Sequence, residues 1–276
     1  MAQIEVVTIL TNLVGVEAPI AVRNAVKTGT DDSVVNATVM RFREGMGSMF
    51  DIKDYDYAKA KPEVLEYLML TRWANELVGN LDCYAKQFIV PSDPKKQYDK
   101  MTMIDMDSGF ERIPAVEFQR QMVEVFGHPK DKVPLSMCGW LDKIFRFEDA
   151  LLWAPGTYDS QQNVYGWLLK DYVTGRLDID MEHLKARVRF LASAPKKVVE
   201  NSMEELVRAA AQEGGVPTPA GEKPRVDGEV FRAKMTERFF ASAEQFCTLL
   251  DQLKAARNNP SSSIYQHYVA MKPLEF

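Results

Sequence analysis

The chain has 276 residues, 46% hydrophobic and 26% charged, with a net charge of -5 and a pI near 5.4. It is long enough to bury a real core in one large domain or two ordinary ones. The composition excludes a bulk basic nucleic-acid footprint and an acidic tail. Cys83, Cys138 and Cys247 lie far apart. That argues against a disulfide scaffold or a cysteine zinc site and predicts a reducing, cytoplasmic setting. The first residues lack a basic signal-peptide region, and no run approaches the ~18 apolar residues of a membrane helix.

Residues 3–14 are apolar at both parities, Ile4, Val6 and Leu10 against Val7, Ile9 and Leu13. This predicts a central strand covered on both faces. Gly15 and Pro19 break it. Two strand-like runs follow, residues 19–27 and 33–43, joined by a polar turn with Gly29, Asp31 and Asp32. In the first, Ile20, Val22 and Val26 alternate with Ala21, Arg23, Ala25 and Lys27. In the second, Val34, Met40 and Phe42 alternate with Val35, Ala37, Val39, Arg41 and Arg43. With the large residues inward, the opposite face is a floor of small side chains carrying four cations.

A loop with Gly45 and Gly47 leads to a change of period. Leu65, Met69, Trp73 and Leu77 recur every four residues, with Pro62 suited to the first turn and Gly79 to the end, so a helix is expected over residues 62–78. Strands are expected at 83–90, 98–106 and 110–118, then a short helix at 117–126 and a domain boundary at 128–134.

Beyond it the pattern is helical, with helices expected over residues 136–153 and 164–173. Asp180 is placed to cap a helix with Leu184, Val188 and Leu191 on one stripe. Ser202 and Glu205 fit a capping box for the next, closed by Gly214 and Gly215. Residues 213–228, rich in glycine and proline, read as a flexible loop. A last helix over 229–257 carries Phe231, Met235, Phe239, Phe246, Leu250 and Leu253, and residues 259–276 read as a tail.

These elements predict an α+β fold. An N-terminal β-rich domain, residues 1–130, has an antiparallel or mixed sheet and one packing helix in the order strands, helix, strands. A C-terminal helical bundle spans residues 135–258. The N-terminal layout is similar to that of several single-strand binders, Whirly-type domains among them, through element order and no shared motif.

The strongest chemical lead is the basic hairpin: Arg23, Lys27, Arg41 and Arg43 are placed to contact phosphates, with Phe42 or Phe50 stacking on a base. The competing reading is an amphipathic sheet with its cations in water or snorkelling past a covering helix. Lys185 and Arg189, one helical turn apart, add a basic rim with Arg187, Lys196 and Lys197; a solvated helix explains the same pattern.

Asp54/Asp56, Asp105/Asp107 and Asp178/Asp180 alternate in the manner of a hard-cation site, but turns and helix caps account for such pairs. His128, His183 and His267 show no metal spacing, and there is no GxSxG or phosphate loop. The sequence assigns no catalytic residue, metal or cofactor. Two functions follow. One is a non-enzymatic nucleic-acid-binding protein for RNA or single-stranded DNA. The alternative is a structural or assembly protein, such as a viral or phage component, that uses residues 229–257 for a protein partner or self-association.

Overall fold

The computed structural model describes residues 2–17, 21–28, 33–40, 44–49, 55–78, 87–104, 164–215 and 227–270. The fold is mixed α+β and mostly helical, with a small three-stranded antiparallel sheet. The expected strand at 110–118, both helices between 117 and 153, and the boundary at 128–134 lie outside the described residues.

The first element corrects the sequence reading. Residues Ala2–Leu13 form helix α1, not a central strand. Val6, Val7, Leu10 and Val14 are buried whereas Ile9 is 41% exposed, a period of 3.6 that an apolar run at both parities cannot reveal. The chain signal was Gly15, which has φ +79. Its N–H donates to the Asn12 carbonyl and that of Val16 to Thr11, the double bond of a helix closed by a left-handed glycine.

Strands β1 (Ala21–Thr28) and β2 (Ser33–Met40) form the expected hairpin. The first expected group of three strands does not form, because its first member is α1; of the second, Phe88–Pro91 and Thr102–Met103 are paired strands and the third lies outside the described residues. Among the described residues β1 and β2 pair only with each other, while β3 (Met46–Ser48), β4 (Phe88–Pro91) and β5 (Thr102–Met103) form a separate antiparallel sheet. β3 falls in a stretch expected to be loop because of its glycines. The first strand meander, and with it the likeness of layout to single-strand binders, therefore does not hold.

Helix α2 (Pro62–Val78) matches its expected span, with Pro62 at the first position, where its missing N–H costs nothing. It is buried on nearly all sides, from Val64 and Leu65 to Leu77 and Val78. Helices α3 (Val164–Val173), α4 (Met181–Leu191), α5 (Lys196–Asn201) and α6 (Glu204–Glu213) follow. Asp180 caps α4 as expected, accepting from the His183 N–H.

The expected capping box does not form. Ser202 donates instead to the Val199 carbonyl at the end of α5, and Glu205 pairs with Arg208. Among the described residues helix α7 (Gly228–Arg257) is the longest, about 45 Å at 1.5 Å per residue. Asp227 accepts from the Glu229 and Val230 N–H groups to start it. The expected tail contains a further helix, α8 (Ser263–Ala270), with Tyr268 buried against the body.

Helix α7 is the hub: α2, α3, α4, α5, α6 and α8 all pack on it. α1 and α2 also touch each other, and α1 packs on α6 and on β1. The described parts of the two halves thus share one continuous apolar core. Trp73 shows why. Its indole N–H donates to Ser242 of α7 at 2.9 Å, and its ring stacks on Phe246 at 6.2 Å. Among the described residues no helix is long and apolar enough to cross a membrane.

Candidate nucleic-acid interface

The hairpin register decides which residues share a face. Arg23 pairs with Thr38 and Lys27 with Val34, while Val22 pairs with Val39 and Val26 with Val35. Directly paired residues lie on the same side of a ribbon. Arg23 and Lys27 therefore fall with Val34, Asn36, Thr38 and Met40, not with Val35, Ala37 and Val39. The expected floor of Ala21, Arg23, Ala25 and Lys27 beside those three residues does not form. By register, Val22, Asn24, Val26 and Thr28 share one face with Ser33, Val35, Ala37 and Val39, and the two cations share the other with Ala21, Ala25, Val34, Asn36, Thr38 and Met40. Arg41, Phe42 and Arg43 lie outside the described residues.

The second basic group separates into two kinds of residue. Lys185 is 6% exposed, held between Asp251 of α7 and Glu182 one turn back. Those two hydrogen bonds, Asp251 first, hold its ammonium above the usual lysine range. Glu182 also accepts from Lys254 at 2.8 Å. The bonds from Lys254 and Lys185 hold its carboxyl at about 2. Lys185 is thus part of the α4–α7 contact and does not present an open ammonium to a phosphate. Arg187 bonds Glu66 of α2 at 2.7 Å. Arg189 is exposed.

The remaining sequence leads resolve into structural roles where they are described. Asp56 caps the short helical turn Tyr57–Lys59 and pairs with Arg176 at 3.1 Å. Asp178 pairs with Arg257, and Asp180 is the cap of α4. Asp54, Asp105, Asp107 and His128 lie outside the described residues. His183 lies 3.8 Å from Glu66. Among the described residues no group of three or more potential ligands could hold a metal ion.

The apolar residues of α7 offered to a partner by the sequence are used inside the chain. Phe231, Met235, Phe239, Phe246, Leu250 and Leu253 are all buried.

Sequence reasoning missed a buried polar cluster on α2. Asn75 donates to the Tyr165 hydroxyl at 2.7 Å, which donates to Thr71 at 2.9 Å. The Arg72 guanidinium lies 5.9 Å from the Tyr165 ring centre, within cation–π range. Arg238 of α7 is buried and donates to the Leu77 and Glu76 carbonyls at the end of α2. Burial lowers it to about 10, which leaves it charged at neutral pH. Its charge meets the negative end of the helix dipole there. These groups tie α2, α3 and α7 together, and nothing in the 3.6 period marks them in advance.

Sequence reasoning also missed Phe190. It sits two residues beyond Val188, about 200° around the helix and off the buried stripe of α4, a position the stripe itself implies.

Compared with known family models, curated proteins and solved structures, the chain matches none.

Proposed function

We propose that the chain binds RNA or single-stranded DNA and holds its phosphates on the basic face of the β1–β2 ribbon. One observation carries the reading: the register puts both ribbon cations, Arg23 and Lys27, on one face, with Asn36 and Thr38 beside them and Val34 and Met40 on the same side. Cations beside amide and hydroxyl groups suit phosphate and sugar contacts, which position a strand without reading its sequence. The net charge of -5 does not oppose this, because phosphates respond mainly to charge within a Debye length, about 8–10 Å.

The test is titration of labelled single-stranded RNA and DNA at two salt concentrations. Each phosphate contact adds roughly 0.7 to the slope of log affinity against log salt. The double variant Arg23→Ala with Lys27→Ala is expected to bind more weakly, with a slope shallower by about 1.4 and an unchanged melting temperature. Absent binding, or binding indifferent to salt, overturns the reading.

A further inference from the structure

Among the described residues Phe190 is the most exposed large apolar side chain, at 76%. A lone exposed apolar residue is ordinary. Its neighbours set this one apart. It ends α4, and the turn into α5 places exposed Arg189, Lys196 and Lys197 close by in the chain. Lys196 lies 3.5 Å from Glu200. Among the described residues no carboxylate lies within ion-pair distance of Arg189 or Lys197, in contrast to Lys185 and Arg187 on the same helix.

This corner also adjoins the root of the ribbon. A Cβ on Gly15 would lie 3.0 Å from Leu191 Cδ1 and 3.8 Å from Arg187 Nη2. The end of α1 is thus seated on the turn of α4 that carries Phe190. β1 starts at Ala21, and the six residues from Gly15 span at most about 22 Å when extended. One flexible strand is long enough to touch both places.

We propose that the α4–α5 corner is a second contact for the single strand held by the ribbon. Phe190 stacks on a base, and Arg189 and Lys197 hold phosphates beside it. A ring flanked by uncommitted cations is the combination that sequence-tolerant single-strand binding uses, since every base has a π face and every linkage a charge. The charge favours a polyanion over an apolar protein partner. The inference rests on the nucleic-acid reading above, but its residues are separate from those of the ribbon.

The experiment titrates labelled oligo(U) and oligo(dT) into the full chain, three corner variants and the ribbon variant Arg23→Ala with Lys27→Ala, each first shown to melt like the parent. Phe190→Ala is expected to bind about 5- to 150-fold more weakly. Phe190→Trp is expected to keep the affinity, with its added emission quenched by the oligonucleotide. Arg189→Ala with Lys197→Ala is expected to flatten the salt slope by about 1.4.

Unchanged affinity in Phe190→Ala overturns the corner. If Arg23→Ala with Lys27→Ala loses binding in the same series, the ribbon reading survives that failure. A loss in Phe190→Ala alone keeps the corner and removes the ribbon. If the parent binds no single strand, both fall. Phe190-dependent binding to phosphatidylserine vesicles in that case assigns the corner to a membrane surface and overturns the proposal.

Discussion

Cations in the helical body and cations at the α4–α5 corner are the same residue types put to opposite uses. In the body, Arg238 is consumed by the carbonyls that end α2. Arg257 bonds the Leu177 carbonyl and Asp178, with its guanidinium 4.8 Å from the centre of the Tyr172 ring. Lys185 is enclosed by two carboxylates. One turn further along α4, Arg189 stands in solvent beside an uncovered phenylalanine. Helical spacing treats Lys185 and Arg189 as equivalent. Their fates differ because α7 meets the first with the carboxylate of Asp251, whereas near the second it carries the thiol of Cys247. A charge on a helix is therefore read correctly only once the helix that packs on it is known.

The comparison predicts that body substitutions act on stability and leave binding alone, so the sharpest attempt to break it removes the largest body contact. Trp73→Ala deletes the indole that stacks on Phe246 and donates to Ser242. It is expected to cost about 3–5 kcal/mol, read by urea or thermal unfolding. At a temperature where the variant remains folded, its affinity for single strands is expected to equal the parent's. A variant that is stable but fails to bind would place the site in the body.

Much of the body was legible from spacing alone. The buried face of α7 follows from Phe231, Met235 and Phe239, because a helix that is half core writes its period into the chain; Leu65, Met69 and Trp73 gave the span of α2 but only one of its buried sides. The cap at Asp180 was legible for the same local reason. What failed was non-local. Residues 3–14 carry apolar side chains at both parities, so strand and helix predict the same letters, and only packing against α2 and α6 selects the helix. The capping box failed because Ser202 is drawn to the end of the preceding helix, which the sequence did not signal. At the candidate interface, Arg23 and Lys27 could be placed on one face of β1, but their companions on β2 depend on a pairing register that neither strand specifies alone.

Gly15 joins the two regions and gives a prediction of middle size. Its φ of +79 is costly for any residue with a Cβ, and the added atom would press on Leu191 at 3.0 Å. Gly15→Ala is expected to destabilise by about 1–2 kcal/mol from the backbone alone. Binding sharpens the point. If ribbon and corner engage one strand, shifting the end of α1 against α4 is expected to weaken affinity as well. Stability lost with affinity intact would mean that the two contacts do not act together.

The smallest expected effect concerns the enclosed cation itself and depends on pH. Glu182 has its carboxyl lowered from 4.5 to about 2 by bonds from Lys254 and Lys185. A lowered acid contributes stability that is complete above its unfolded value and lost as pH falls toward its folded one. This contribution therefore fades between about 4.5 and about 2. Lys185 and Lys254 are raised above 10.5, Lys185 by Asp251 and then Glu182, Lys254 by Glu182. Their contribution is complete below 10.5 and lost as pH climbs through the raised values. Asp171 runs the other way. Burial raises its carboxyl above 3.8, more than Arg176 lowers it, so protonating it favours the folded chain.

Melting temperature across pH, parent against Glu182→Gln, separates these. The variant is expected to melt slightly lower near neutrality, with the gap closing as acid protonates Glu182 in the parent. Affinity for single strands is expected to be the same in both, because this cluster serves the α4–α7 contact. A gap that persists unchanged below pH 2, where Glu182 is neutral in both states, would show that the carboxylate charge contributes nothing. Lys185 would then be held by Asp251 alone.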